Sequence, residues 1–214
     1  MKASLITASL LFAVIATDTL AAAQPSGTAP QGNNQIRVRV YDYAGVSEDV
    51  LRKAEDVTTR IFQQVGVDIV WFTCLRNGKF LGRPSCPAAT DWTDLILNVV
   101  PRAMSKGLAK KDEVDGVAVD GPDEFSCNAW VFFDRAKEVA AKQLLTLSNV
   151  LGNLMAHELG HLLLGSYSHS ITGLMRGGWS REEFIAANRG ELGFSEPERE
   201  RILKGVDARH HASR

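Results

Sequence analysis

His157 and His161 stand four residues apart, with Glu158 directly after the first, in the order His-Glu-x-x-His. On an α-helix that spacing presents two imidazoles on one face, one turn apart, which suits them to grip a metal ion. Glu158 sits where it can reach a water on the same ion and act as general base without being a ligand itself. A helix over residues 148–164 carrying such a site reads as part of a zinc hydrolase, most directly a peptidase. Gly165 can end that helix, and residues 166–168 then loop the chain back so that His169 can reach the metal. Glu182 or Glu183, in the first turn of the following helix, is the alternative third ligand.

The motif helix is apolar at Val150, Leu151, Leu154, Met155, Leu159, Leu162 and Leu163, so it is expected to be largely buried and to carry its histidines into a cleft. Ser148 is its expected cap. Gly152 and Gly160 each cost roughly 1 kcal/mol relative to alanine in a helix interior, which calls for a compensating close approach to the sheet or a neighbouring backbone. Upstream, Ile36, Val38 and Val40 alternate with polar residues as in a half-buried strand. Ser47, followed by Glu48 and Asp49, opens an amphipathic helix with Val50, Ala54, Val57, Ile61 and Val65 on its inner face. Its charged face over residues 55–60 is expected to meet solvent. Gly66 ends it, and residues 67–72 form a second strand, giving the β-α-β opening of an α/β or α+β domain. Residues 95–100 form a buried strand stopped by Pro101, residues 116–119 a short one, and residues 129–133 a final candidate. Asp134 is the expected cap of a helix over residues 135–145. Downstream, Ser180 to Glu183 and Ser195 to Glu198 are two capping boxes for short helices ending near Asn188 and Lys204.

Residues 1–23 have the layout of a secretory signal, with Lys2, an apolar run from Leu5 to Ala16, and Ala21 to Ala23 as a small-residue cleavage site. The apolar run is too short to stay in a membrane as a spanning helix. A secreted or periplasmic destination follows, with no membrane contact after signal removal. Losing 23 of 214 residues leaves 191, enough for one ordinary domain. Residues 24–34 are a flexible lead, and residues 35–206 are expected as one domain, divided into an N-terminal subdomain (35–165) and a small C-terminal one (166–206). Residues 207–214 are expected as a disordered tail. With 24 basic and 25 acidic side chains and no basic run, nothing points to nucleic acid. Cys74 and Cys86 flank a glycine- and proline-containing segment, and in an exported chain they are the expected disulfide. A bridge from either to Cys127, or a free thiol, stays open at this stage.

The segment resembles the metzincin clan of zinc peptidases, in which His-Glu-x-x-His-x-x-Gly-x-x-His is followed by a methionine turn beneath the metal. This chain has His157-Glu-x-x-His161-x-x-x-Gly165-x-x-x-His169, one residue longer at each interval, and Gly173, Leu174 and Met175 fit the turn. It is similar also to a group of short exported bacterial proteins with Gly-His-Leu-Leu-Leu-Gly, Ser-His-Ser, Thr-Gly-Leu-Met-Arg and Trp-Ser, found here between Gly160 and Ser180. The resemblance implies an α+β, zincin-like (metzincin-like) fold: a mixed twisted sheet, a backing helix, an active-site helix and a small helical C-terminal subdomain. It places residues 129–133 at the sheet edge beside the metal, where an extended substrate could add as a strand. It implies one catalytic zinc ion held by His157, His161 and His169, with Glu158 moving the proton during attack of water on a peptide carbonyl. Tyr167 would donate to the oxyanion, and Met175 would form an apolar floor without being a ligand. The implied function is that of a monomeric secreted peptidase, an endopeptidase, acting on peptides or proteins. The alternatives are a zinc-binding protein without turnover and a structural or inhibitory domain in which the motif is a coincidence.

Overall fold

The alternating residues Ile36, Val38 and Val40 form the buried face of strand β1 (Gln35–Asp42), and none is more than 2 % exposed. The computed structural model describes residues 34–74, 86–87, 94–105, 116–119, 127–165 and 168–212. Helix α1 (Glu48–Gln64) buries Leu51, Ala54, Val57, Ile61 and Phe62, and β2 (Asp68–Thr73) returns parallel to β1. Strand β3 (Asp94–Val100) lies parallel to β1 on its other side, followed by the short helix α2 (Arg102–Ser105). Strands β4 (Gly116–Val119) and β5 (Asn128–Phe132) complete a five-stranded sheet in the order β2-β1-β3-β5-β4. All pairings are parallel except β4 with β5, which is antiparallel.

Helix α3 (Phe133–Gln143) leads into α4 (Leu147–Leu164), which packs on β3, β4 and β5 and alongside α1. Apolar residues surround most of α4, because it is wedged between the sheet, α1 and the C-terminal helices. Each fully buried leucine or methionine there is worth roughly 1.5–3 kcal/mol. Gly152 is the point of closest approach to α1: a Cβ at this position would lie 2.5 Å from the Ala54 carbonyl oxygen. Across the same contact the Thr58 hydroxyl donates to the Gly152 carbonyl at 2.9 Å. Helix α5 (Arg181–Arg189) and helix α6 (Glu196–Ala212) form a small helical C-terminal part. From α6, Arg209 and Arg201 donate to the Leu162 and Leu164 carbonyls, at 2.8 and 2.5 Å. Those carbonyls lie in the last turn of α4, where helices lack internal donors and favour cations. The class is therefore α+β, with a mixed sheet, a backing helix (α1) and a helix (α4) that carries the motif.

Several expectations need correction. Strand β5 is interior, between β3 and β4, so residues 129–133 are not the sheet edge; among the described residues the outer strands are β2 and β4. Periodicity locates strands but not their order, and here the antiparallel pairing of Val117 with Trp130 puts β4 outside. Asp134 lies inside the first turn of α3, where its carboxylate accepts the Arg102 N–H at 2.7 Å and pairs with Lys137. Ser148 is likewise within α4, buried, with Thr146 at the cap position. Glu55 is 1 % exposed, so the charged face of α1 is not wholly solvated. Residues 207–212, expected as tail, continue α6, because Val206 and Arg209 are buried and His210 Nε2 donates to the Gln35 carbonyl at 2.9 Å. Cys74 and Cys86 form a disulfide, and Cys127 is a free thiol. Among the described residues no helix is long and apolar enough to cross a membrane. The signal-like residues 1–23 and nearly all of the lead lie outside the described residues.

Candidate metal centre

Helix α4 presents His157 and His161 one turn apart, as the four-residue spacing requires. His157 is buried and His161 half-buried, and their Nε2 atoms are 3.0 Å apart. Gly165, at φ +82°, ends the helix in a backbone region that side chains rarely adopt, and the chain turns back. His169 then brings its Nε2 to 3.1 Å from that of His161. The three histidines are the cluster among the described residues able to hold a metal ion.

The far side of each α4 imidazole is held. His157 Nδ1 donates to the Leu174 carbonyl at 2.7 Å, so its Nε2 carries a lone pair in the neutral ring. His161 Nδ1 is 2.7 Å from the hydroxyl of the buried Ser168. Burial pushes His157 down to about 4, with the charge of His169 adding to it and the Leu174 hydrogen bond opposing it. Burial also pushes His161 down, to about 3, with both neighbouring histidines contributing. Both rings are therefore neutral at pH 7, the form that ligates metals. Lone pairs that converge this closely favour a shared cation. Their 3.0 and 3.1 Å separations are close to the roughly 3.3 Å nitrogen spacing of a tetrahedral zinc with bonds of about 2.0–2.1 Å. The donor set of three imidazoles fits zinc by chemistry, and the spacing fits for His161 with each of its neighbours, all three ligand atoms lying within 4.8 Å of one another.

Leu174 and Met175 lie against α4. The Leu174 carbonyl accepts from His157 and also from Trp179 Nε1 at 3.0 Å, and the Trp179 ring stands edge-on to His157. Met175 is fully buried, and its sulfur would lie 2.8 Å from a Cβ at Gly160, which explains why that helix position is glycine. Gly177 lies under the third imidazole, with His169 Nδ1 only 3.0 Å from where a Cβ would be. Glu158, 4 % exposed, points from α4 toward the start of β4, where its carboxylate packs on Gly116.

The chain has no matching protein-family model and no matching curated protein. Among solved structures it is similar to archaemetzincin from Methanopyrus kandleri, at 16 % identity and a TM-score of 0.49, covering 84 % of this chain and 99 % of that one. It is also similar to a zinc-dependent peptidase from Methanocorpusculum labreanum, at 15 % identity and a TM-score of 0.49, covering 77 % of this chain and 99 % of that one.

The other expected site residues fall elsewhere. Glu183 is committed to the capping box of α5, accepting the Ser180 N–H at 2.8 Å and pairing with Arg176 at 3.0 Å. The Ser180 side chain first, then its backbone N–H and Arg176, hold the Glu183 carboxyl down at about 2 against the opposing effect of burial. Glu182 bonds Ser180, and neither carboxylate belongs to the histidine cluster. Tyr167 lies outside the described residues. Sequence reasoning missed Ser168, Trp179, Gly116 and Gly177. The Ser-His-Ser and Trp-Ser pairs contain two of them, but a hydrogen bond to a ring nitrogen leaves no trace in sequence spacing.

Proposed function

We propose that the protein is a secreted or periplasmic zinc-dependent peptidase, with His157, His161 and His169 as ligands and Glu158 as general base. The observation that carries this reading is the convergence of three histidine nitrogens within 4.8 Å of one another, with a buried glutamate on the same helix turn. Zinc held by three imidazoles supplies Lewis-acid polarisation of a carbonyl and an acidified water at neutral pH. Glu158 accepts the proton of the attacking water and returns it to the departing amine. The Leu174 carbonyl and Ser168 keep the two α4 imidazoles turned inward, and Met175 closes the floor with an apolar, non-ligating surface. Strand β4, an outer strand among the described residues, would offer its backbone to an extended peptide, which favours cleavage within a chain over trimming of its ends. The layout of residues 1–23 and the Cys74–Cys86 disulfide support an oxidising, exported setting.

Metal analysis paired with digestion of a broad peptide library tests the reading. Stoichiometric zinc is expected, with cleavage that chelation abolishes and that Glu158→Gln abolishes while zinc is retained. Zinc without cleavage would point to a binding protein, and no stoichiometric metal would make the motif a coincidence.

A further inference from the structure

Gly116 opens the edge strand β4 and pairs with Val131 of β5, whose side chain is fully buried. Paired residues of neighbouring strands face the same side of a sheet, so a side chain at 116 would project toward α4. A Cβ there would lie 2.5 Å from Glu158 Oε1, 2.6 Å from its Cδ and 2.7 Å from its Cγ. Ordinary van der Waals contact begins near 3.4 Å. Three successive atoms of one side chain are too close at once, so turning the carboxylate about its last bond relieves nothing. The backbones have little room to give: α4 is fixed against α1 at Gly152, and β4 is held in register by β5. Glycine inside a strand weakens it and marks places where another group approaches closely.

We propose that Gly116 is a positioning residue for Glu158, the absent side chain leaving the volume that the general base occupies. The proposal rests on the peptidase reading of the site and adds a link between the sheet edge and the base. Any side chain at 116 drives the Glu158 carboxylate out of its place while leaving the three histidines, on α4 and the loop behind it, untouched.

Thermal unfolding of the metal-free wild type, G116A, E158A and G116A/E158A tests the contact as a double-mutant cycle. With Glu158 present, Gly116→Ala is expected to lower the melting temperature by about 5 °C, the usual scale for overpacking in a domain of this size. With Glu158 truncated the same substitution fits, and the drop should shrink to about 1 °C or less. A G116A protein that fails to fold while the double variant folds is the same coupling in its extreme form. Equal drops in both backgrounds overturn the inference, whether or not the wild type cleaves peptides. For the zinc-loaded enzyme, G116A should keep stoichiometric zinc and KM, with kcat lowered roughly 10- to 100-fold by misplacement of the base. Unchanged kcat also overturns it. A wild type that binds zinc and cleaves nothing overturns the peptidase reading instead, and the melting cycle tells the two failures apart.

Discussion

His157 and His161 need only a helix to meet, whereas His169 depends on a loop. Its ring reaches the cluster by lying over the bare backbone of Gly177, and the loop that delivers it also supplies Ser168 to the Nδ1 of His161. The longer spacing after His161 thus accommodates a hydrogen-bonding residue directly before the third histidine. His169→Ala is expected to abolish stoichiometric zinc binding, and Glu183→Ala to retain it, because the Glu183 carboxylate is spent on Ser180 and Arg176. Ser168→Ala should fall between them, weakening zinc affinity by about 10–100-fold, the usual cost of losing a group that orients a ligand. Titration of each variant with a zinc-sensitive dye measures all three. Full zinc occupancy in His169→Ala would sink the ligand assignment.

Helix α4 has two interior glycines because it is pressed on two sides, by α1 at Gly152 and by Met175 and Phe194 at Gly160. Alanine at 152 would gain about 1 kcal/mol of helix propensity. It would also place a Cβ 2.5 Å from the Ala54 carbonyl oxygen and 2.6 Å from Val57 Cβ, neither of which is the end of a flexible side chain. Overpacking of this kind costs about 1–3 kcal/mol, so the clash outweighs the gain. Gly152→Ala should therefore lower the melting temperature by several degrees, and an unchanged or raised value would mean that α1 and α4 can separate without penalty. Gly160 faces softer neighbours, the Met175 sulfur and the Phe194 ring edge.

At the scale of the whole molecule, folding takes His157 and His161 from water into a layer between α4 and the C-terminal part. Their folded-state values, about 4 and about 3, lie below the ordinary 6.5. Above pH 6.5 neither the folded nor the unfolded chain protonates them, so stability is at its full value. As pH falls from 6.5 toward 4 the unfolded chain binds protons that the folded one refuses, and stability is lost. For His157 alone the loss is on the order of 3 kcal/mol. Denaturant unfolding of the metal-free protein should show the midpoint falling steadily between pH 6.5 and 4, and the slope should flatten in the His157→Gln, His161→Gln double variant. A midpoint independent of pH over that window would contradict the burial of the two rings.

Most of the elements and the pair of helical histidines were legible in the chain, because both follow from local spacing. A period of two gives the buried face of β1, an unbroken apolar run gives β3, a period near four gives α1, apolar residues nearly all round give the buried α4, and Gly165 ends that helix. Which strand lies outside was not legible, since residues 116–119 and 129–133 look equally strand-like until their antiparallel pairing puts β4 beyond β5 among the described residues. Packing also brings His169, and neither Glu182 nor Glu183, to the two helical histidines. The capping box that engages Glu183 was legible, but the ion pair with Arg176 and the return of the loop over Gly177 join residues by contacts that leave no period in the chain. Close approaches are the least legible of all. Gly116 is one glycine in a short strand until α4 lays Glu158 against it, and the room it leaves exists only once helix and sheet edge are packed together.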